Sequence, residues 1–107
     1  MPRNRDERRA ARHYRLRGYR ILGTNVWAGG YELDVIARRG GRVVFCEVKG
    51  KSGDGYGDPL EMVHAEKLRR LHRAAECWLV SQPSLRGLDH RFEVVAVRGA
   101  KLERVPI

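Results

Sequence analysis

Two adjacent glycines limit what this chain can fold into more than any other feature. Gly40-Gly41 stands inside YELDVIARRGGRVVFCEVKG, residues 31–50. Such a pair suits a two-residue hairpin turn, and the runs on either side are rich in β-branched and aromatic residues. Two antiparallel strands follow, at 31–38 and 43–49. Counting outward from the turn, Arg39 faces Arg42, Asp34 faces Glu47, and Glu32 faces Lys49. Side chains alternate along a strand, so these four polar residues share one face. Leu33, Val35, Val44, Cys46 and Val48 share the other, which is read as core.

The rest of the chain supplies layers for this hairpin. Residues 6–17 (DERRAARHYRLR) read as a helix with Ala10, Ala11 and Tyr14 on one face, ended by Gly18. Residues 19–27 alternate like a strand, with Tyr19, Ile21 and Trp27 as anchors. Ala28-Gly29-Gly30 is a turn. Residues 52–59 (SGDGYGDP) form a Gly-rich loop, and Asp58-Pro59 with Glu61 resembles a helix start. His64 is a second candidate cap. A helix over 65–80 carries Leu68, Leu71, Ala75, Trp78 and Leu79 on one stripe. Residues 92–97 (FEVVAV) form a buried-type strand, and 102–105 a short edge strand. The order α-β-β-β-α-β predicts one α/β domain over 1–107, a mixed central sheet flanked by helices.

Strand interiors rarely carry three carboxylates and an amine. Directly opposed residues have Cβ atoms about 4.5–5.5 Å apart, so Asp34 and Glu47 would repel unless a cation sat between them. A hard divalent ion such as Mg²⁺ suits oxygen ligands, and Lys49 on the same face could hold a water or a phosphate oxygen. That combination suits attack on a phosphodiester. The alternative is structural: a Glu32–Lys49 cross-strand ion pair, with Asp34 neutralised by an arginine.

The charge balance favours a polyanion as partner. The 107 residues hold 22 Lys and Arg against 13 Asp and Glu, a formal net charge of +9. All but four of the cations are arginine, a bias that GC-rich coding would also produce. Cys46 and Cys77 lack metal-type spacing and read as reduced thiols of a cytoplasmic protein. No apolar run approaches the roughly 20 residues that cross a membrane.

The polar residues of the hairpin also carry a resemblance. Asp34 followed by Glu47-Val48-Lys49 resembles the PD-(D/E)xK nuclease signature, a short motif that is weak alone. The surrounding residues sharpen it: Glu7, Ala10-Ala11, Gly18-Tyr19, Asn25, Glu32 to Ala37, Val44 to Lys49, Lys67, and Arg91 to Val97. Together they resemble the YraN family of bacterial proteins, also called uncharacterised protein family 0102, over nearly the whole chain. The resemblance implies a restriction-endonuclease-like core related to archaeal Holliday-junction resolvases. It implies Asp34 and Glu47 as ligands of Mg²⁺ or Mn²⁺, the Val48 carbonyl as a third, and Lys49 as the group that orients water. Glu32 and Glu7 match family acids and could complete the shell. Four positions depart from the pattern: Asp6 and Tyr31 replace Gly, Gly50 replaces Thr, and Glu93 replaces Asp.

The expected activity is metal-dependent hydrolysis of DNA, with branched or flapped DNA as candidate substrates. A non-catalytic nucleic-acid-binding module of the same fold is the alternative. Lys51, Lys67, Arg69 and Arg70 are the expected phosphate contacts, and Arg3, Arg5, Arg8, Arg9 and Arg12 could add electrostatic grip. A homodimer would suit paired cuts at a junction. The four histidines show no ligand spacing, and Trp27 and Trp78 are expected in the core.

Overall fold

Helix α1 spans Arg5–Leu16 in a computed structural model that describes residues 4–50 and 65–107. Asn4 caps it: the Asn4 side chain accepts the Glu7 amide at 2.8 Å, satisfying a donor otherwise left over at a helix start. Glu7, Ala10, Ala11 and Tyr14 form its buried face, at the spacing that puts residues on one side of a helix. Gly18 follows at φ 85°, the left-handed geometry that ends a helix cheaply only for glycine.

Five strands follow: β1 (Arg20–Ala28), β2 (Tyr31–Arg39), β3 (Arg42–Gly50), β4 (Asp89–Arg98) and β5 (Lys101–Pro106). They lie side by side in chain order. β1–β2, β2–β3 and β4–β5 are antiparallel. β3–β4 is parallel, as it can be because helix α2 (Ala65–Val80) separates the two strands in the chain. The architecture is the expected α/β one, a mixed sheet with a helix on each face. The predicted loop at 52–59, the helix start at 58–61, His64 and Lys51 lie outside the described residues.

Each helix covers its own core. Ala10 and Tyr14 of α1 pack on Val35, Ala37, Val44, Cys46 and Val95. Leu71, Ala74, Ala75 and Leu79 of α2 pack on Leu33, Ile36, Val43 and Phe45. Burial on both faces explains why β2 and β3 read as nearly continuous apolar runs. Trp78 meets the Phe45 ring edge-on at 5.9 Å, as its core assignment requires. Under the second half of α1, Tyr14 donates to Glu93 at 2.6 Å, and Arg104 of β5 grips both Glu93 oxygens at 2.9 and 3.2 Å. Arg104 also lies over the Tyr14 ring, 4.6 Å from its centre. This network fastens α1 to both β4 and β5.

The hairpin register is the one counted from the turn, with Arg39 opposite Arg42 and steps outward to Val35 opposite Cys46. There the ladder stops. Leu33 and Ile36 belong to the α2 core, whereas Val35 belongs to the α1 core. Side-chain alternation therefore breaks around Asp34 and Val35, and Leu33 is not on the face predicted for it. Two features coincide with the break. The Asp34 carboxylate accepts the Val48 amide at 2.8 Å where a backbone partner would continue the ladder. Asn25, at the facing position of β1, has φ 51°, a conformation asparagine tolerates better than most residues.

Trp27 corrects a second expectation. It is 68% exposed, not core. It pairs with Glu32 near the end of edge strand β1. Cross-strand partners share a face, and there the sheet runs out past the first turn of α1. Among the described residues, no helix is long and apolar enough to cross a membrane.

Candidate metal centre

The break in β2 gathers carboxylates from two elements. Glu7 comes from the first turn of α1, and Glu32 and Asp34 come from β2. Each offers one oxygen, and these lie within 4.8 Å of one another. Glu7 is 5% exposed and Asp34 9%, and one Glu32 oxygen is fully buried. Glu7 is held from two sides. Its amide is capped by Asn4, and its carboxylate accepts from Asn25 Nδ2 at 2.8 Å. The left-handed turn of Asn25 is therefore tied directly to a member of the cluster.

Burial is the main cause that lifts Asp34, from 3.8 to about 7. Glu47, Glu7 and Glu32 push it the same way, and the Val48 amide only partly offsets them. A buried acid surrounded by acids keeps its proton near neutral pH unless a cation replaces it.

Glu47 stands outside this trio. It lies on the α2 side of β3, opposite Val94 of β4, and is 8% exposed. Tyr31 donates to its two oxygens at 3.2 and 3.0 Å. Lys49 Nζ lies 3.2 Å and Lys67 Nζ 3.7 Å from its Oε1. Burial and the adjacent Lys49 lower the Lys67 pKa, and Glu47 opposes them. Glu47 holds the Lys49 ammonium above its ordinary pKa against the effect of burial. The predicted set thus divides at the fork between β2 and β3. Glu7, Glu32 and Asp34 gather on the α1 side, with Val48 joining them through its amide. Glu47, Lys49 and Lys67 gather on the α2 side. Neither the predicted Glu32–Lys49 pair nor an arginine on Asp34 is among the described ion pairs; Lys49 bonds Glu47 instead. Arg69 and Arg70 lie apart, on the exposed side of α2, and both pair with Glu66 at 2.7 and 3.2 Å.

The donor chemistry of the trio fits a hard divalent cation. Oxygens bound to one Mg²⁺ at 2.0–2.1 Å lie no more than about 4.2 Å apart, so modest side-chain adjustment closes the trio on an ion. All-oxygen ligation favours Mg²⁺ or Mn²⁺ over softer metals.

A family model described as uncharacterised protein family UPF0102 matches residues 6–97. The chain belongs to that family. A UPF0102 protein of Vibrio parahaemolyticus is 34% identical over 94 residues, spanning 88% of this chain and 78% of the relative. One from Acidothermus cellulolyticus is 41% identical over 101 residues, spanning 85% and 76%. A third, from Syntrophotalea carbinolica, is 40% identical over 89 residues, spanning 83% and 72%.

A Cβ at Gly50 would meet the end of the Asp6 carboxylate. The acid at 6 and the missing side chain at 50 therefore accommodate each other. Tyr31 supplies the hydroxyl that holds Glu47. Glu93 bridges Tyr14 and Arg104.

Several of these roles are not legible in the sequence. Nothing in the linear pattern gives Tyr31 or Asn25 a part in the site. Asn4 does carry a readable signal, an Asn directly ahead of a helix with Asp6 and Glu7 in its first turn. For Asn25 the only signal is an asparagine inside a strand-like run.

Proposed function

We propose that this protein is a divalent-metal-dependent DNA endonuclease, acting on branched or flapped DNA. The observation that carries the reading is the convergence of Glu7, Glu32 and Asp34 at the fork, with Glu47 and Lys49 on the neighbouring strand. A fold that holds an acid at about 7 inside a cluster of acids sacrifices stability there, as functional sites do. The strand order, with a parallel β3–β4 pair bridged by α2, supports a restriction-endonuclease-like core. The net charge of +9 suits a polyanionic substrate.

Glu7, Glu32 and Asp34 would hold Mg²⁺ or Mn²⁺, with Glu47 and the Val48 carbonyl as further candidate ligands across the fork. Bound there, the ion would polarise a phosphodiester and make water more acidic. The protein's own groups do the rest. Asn25 fixes the orientation of Glu7. Tyr31 orients Glu47 through its neutral hydroxyl. Lys49, next to Glu47, can stabilise charge on a phosphate oxygen, and Lys67 adds a second donor from the start of α2.

One observation favours a second reading, a binding module that does not cleave. Glu47 is occupied by two lysines and a tyrosine instead of joining the trio. A cleavage assay separates the two. Wild type, Asp34→Asn and Glu47→Gln are incubated with single-stranded, duplex, flap and four-way-junction DNA in Mg²⁺, Mn²⁺ or EDTA. Metal-dependent cutting that both variants lose is expected. Equal binding by all three proteins without cutting would leave the binding module.

A further inference from the structure

The acid cluster lies midway along edge strand β1, and the surface differs on its two sides. Toward the start of β1, Ile21 to Thr24 and the exposed Arg8, Arg12 and Arg15 of α1 line an open cleft of about 570 Å³. Arg8 to Arg15 rises about 10 Å along the helix, so the three guanidinium groups form a row, not a point. Among the described residues, no ion pair engages any of the three. The cleft ends at the cluster, because Thr24 adjoins Asn25, Arg8 adjoins Glu7, and Asn25 bonds Glu7. Toward the other end of β1 stands Trp27, opposite Glu32 and 68% exposed. Arginine row, acid cluster and exposed indole thus follow one another along a single edge of the sheet. Ile21 to Trp27 spans about 20 Å of strand, enough for several nucleotides.

An indole beside a phosphate track can stack a base only if that base is not already stacked in a duplex. We propose that β1 is the track of a single DNA strand. An unpaired base stacks on Trp27, the phosphate next to it lies over Glu7, Glu32 and Asp34, and the following phosphates run along Arg8, Arg12 and Arg15. This deepens the proposed nuclease reading, on which it rests for the role of the acids. It names the substrate feature selected, unpaired nucleotides on one side of the bond to be cut. Arg69 and Arg70, paired to Glu66, are not part of the track.

The test measures binding without cleavage, in EDTA and again in Ca²⁺, using fluorescein-labelled oligo(dT), a duplex of equal length and oligo(U). The proteins are wild type, Trp27→Ala, Trp27→Phe and Arg8→Gln/Arg12→Gln/Arg15→Gln, each checked for folding by thermal melt. Wild type is expected to prefer oligo(dT) to duplex and to show quenching of indole fluorescence on binding. Trp27→Ala should lose roughly ten- to a hundredfold in oligo(dT) affinity, with duplex binding unchanged and Trp27→Phe close to wild type. The triple arginine variant should flatten the salt dependence, by about 0.7 in log–log slope for each phosphate it no longer neutralises.

Equal affinity of Trp27→Ala and wild type for oligo(dT) would overturn the proposal, even if the protein cuts DNA. Tighter binding to oligo(U) would overturn the choice of DNA. The expected binding pattern without any metal-dependent cutting would instead leave the track standing and remove the nuclease reading.

Discussion

Two carboxylates lie under the same helix and meet opposite fates. Glu93 sits below the second half of α1, where burial alone would lift its pKa, but Arg104 and Tyr14 hold it below the ordinary range. Asp34 sits near the first turn of α1, where burial and three neighbouring acids raise it to about 7. Tyr14 and Glu7 are two turns apart on one helix face, so α1 joins an acid held by a cation to a group of mutually repelling acids. The first arrangement fastens helix to sheet. The second costs stability and makes sense if a bound cation balances the charge of these acids. The contrast separates what holds this molecule together from what it is for.

The largest effect should come from testing function at both acids. Asp34→Asn is expected to lower metal-dependent DNA cleavage by about 10³-fold or more, because it removes a ligand charge at the reacting centre. Glu93→Ala, measured at a temperature where it is folded, should stay within about tenfold of wild type. Steady-state cleavage of a flap substrate checks both, and equal losses at the two sites would erase the distinction.

Stability should respond the other way round. Glu93→Ala leaves Arg104 and the Tyr14 hydroxyl without their acceptor, at a cost of about 3 kcal/mol in urea unfolding. Asp34→Asn should instead stabilise the metal-free protein, by about 2 kcal/mol at pH 8. The sign follows from the proton. Asp34 titrates near 7 when folded against 3.8 as an ordinary carboxyl, so the folded chain binds the proton more tightly. Its contribution is intact below about pH 4, declines as pH rises to about 7, and is flat beyond. The advantage of Asp34→Asn should therefore vanish near pH 4 and grow through that window. A pH-independent gap between the two proteins would mean that Asp34 is not perturbed.

The smallest effect probes the Asp6–Gly50 contact. Gly50→Thr should stay within about 0.5 kcal/mol of wild type, because the Asp6 carboxylate can swing aside, and it should be slightly more favourable when Asp6→Gly is also present. Additive effects in a double-mutant cycle would mean that the two positions do not meet.

Much of this contrast is hidden in the sequence, for identifiable reasons. The hairpin is legible because Gly40-Gly41 permits few alternatives, and the register from Arg39 to Val35 follows by counting. Helix α2 is legible from its apolar stripe, and its end at Val80 agrees with the structure. Counting fails at Asp34, because the period of 2 assumes an unbroken ladder. A side chain that takes the Val48 amide, facing an Asn25 at positive φ, ends that assumption. The acids can therefore be found in the sequence, but their partition between two sides of the sheet cannot. Trp27 is misplaced for a different reason. A tryptophan reads as core by its residue type, and no pattern in the chain shows where a helix stops covering a sheet edge. The Glu93–Arg104–Tyr14 network joins residues too distant in the chain for any local pattern to link.

The most direct test of the central claim is calorimetric titration of the metal-free protein with Mn²⁺ at pH 7 in two buffers of different ionisation enthalpy. One cation site that releases a fraction of a proton, and that is lost in Asp34→Asn but kept in Glu93→Gln, is the expected result. Absence of binding, or binding that Asp34→Asn leaves unchanged, would contradict the assignment of the acid cluster as a metal centre.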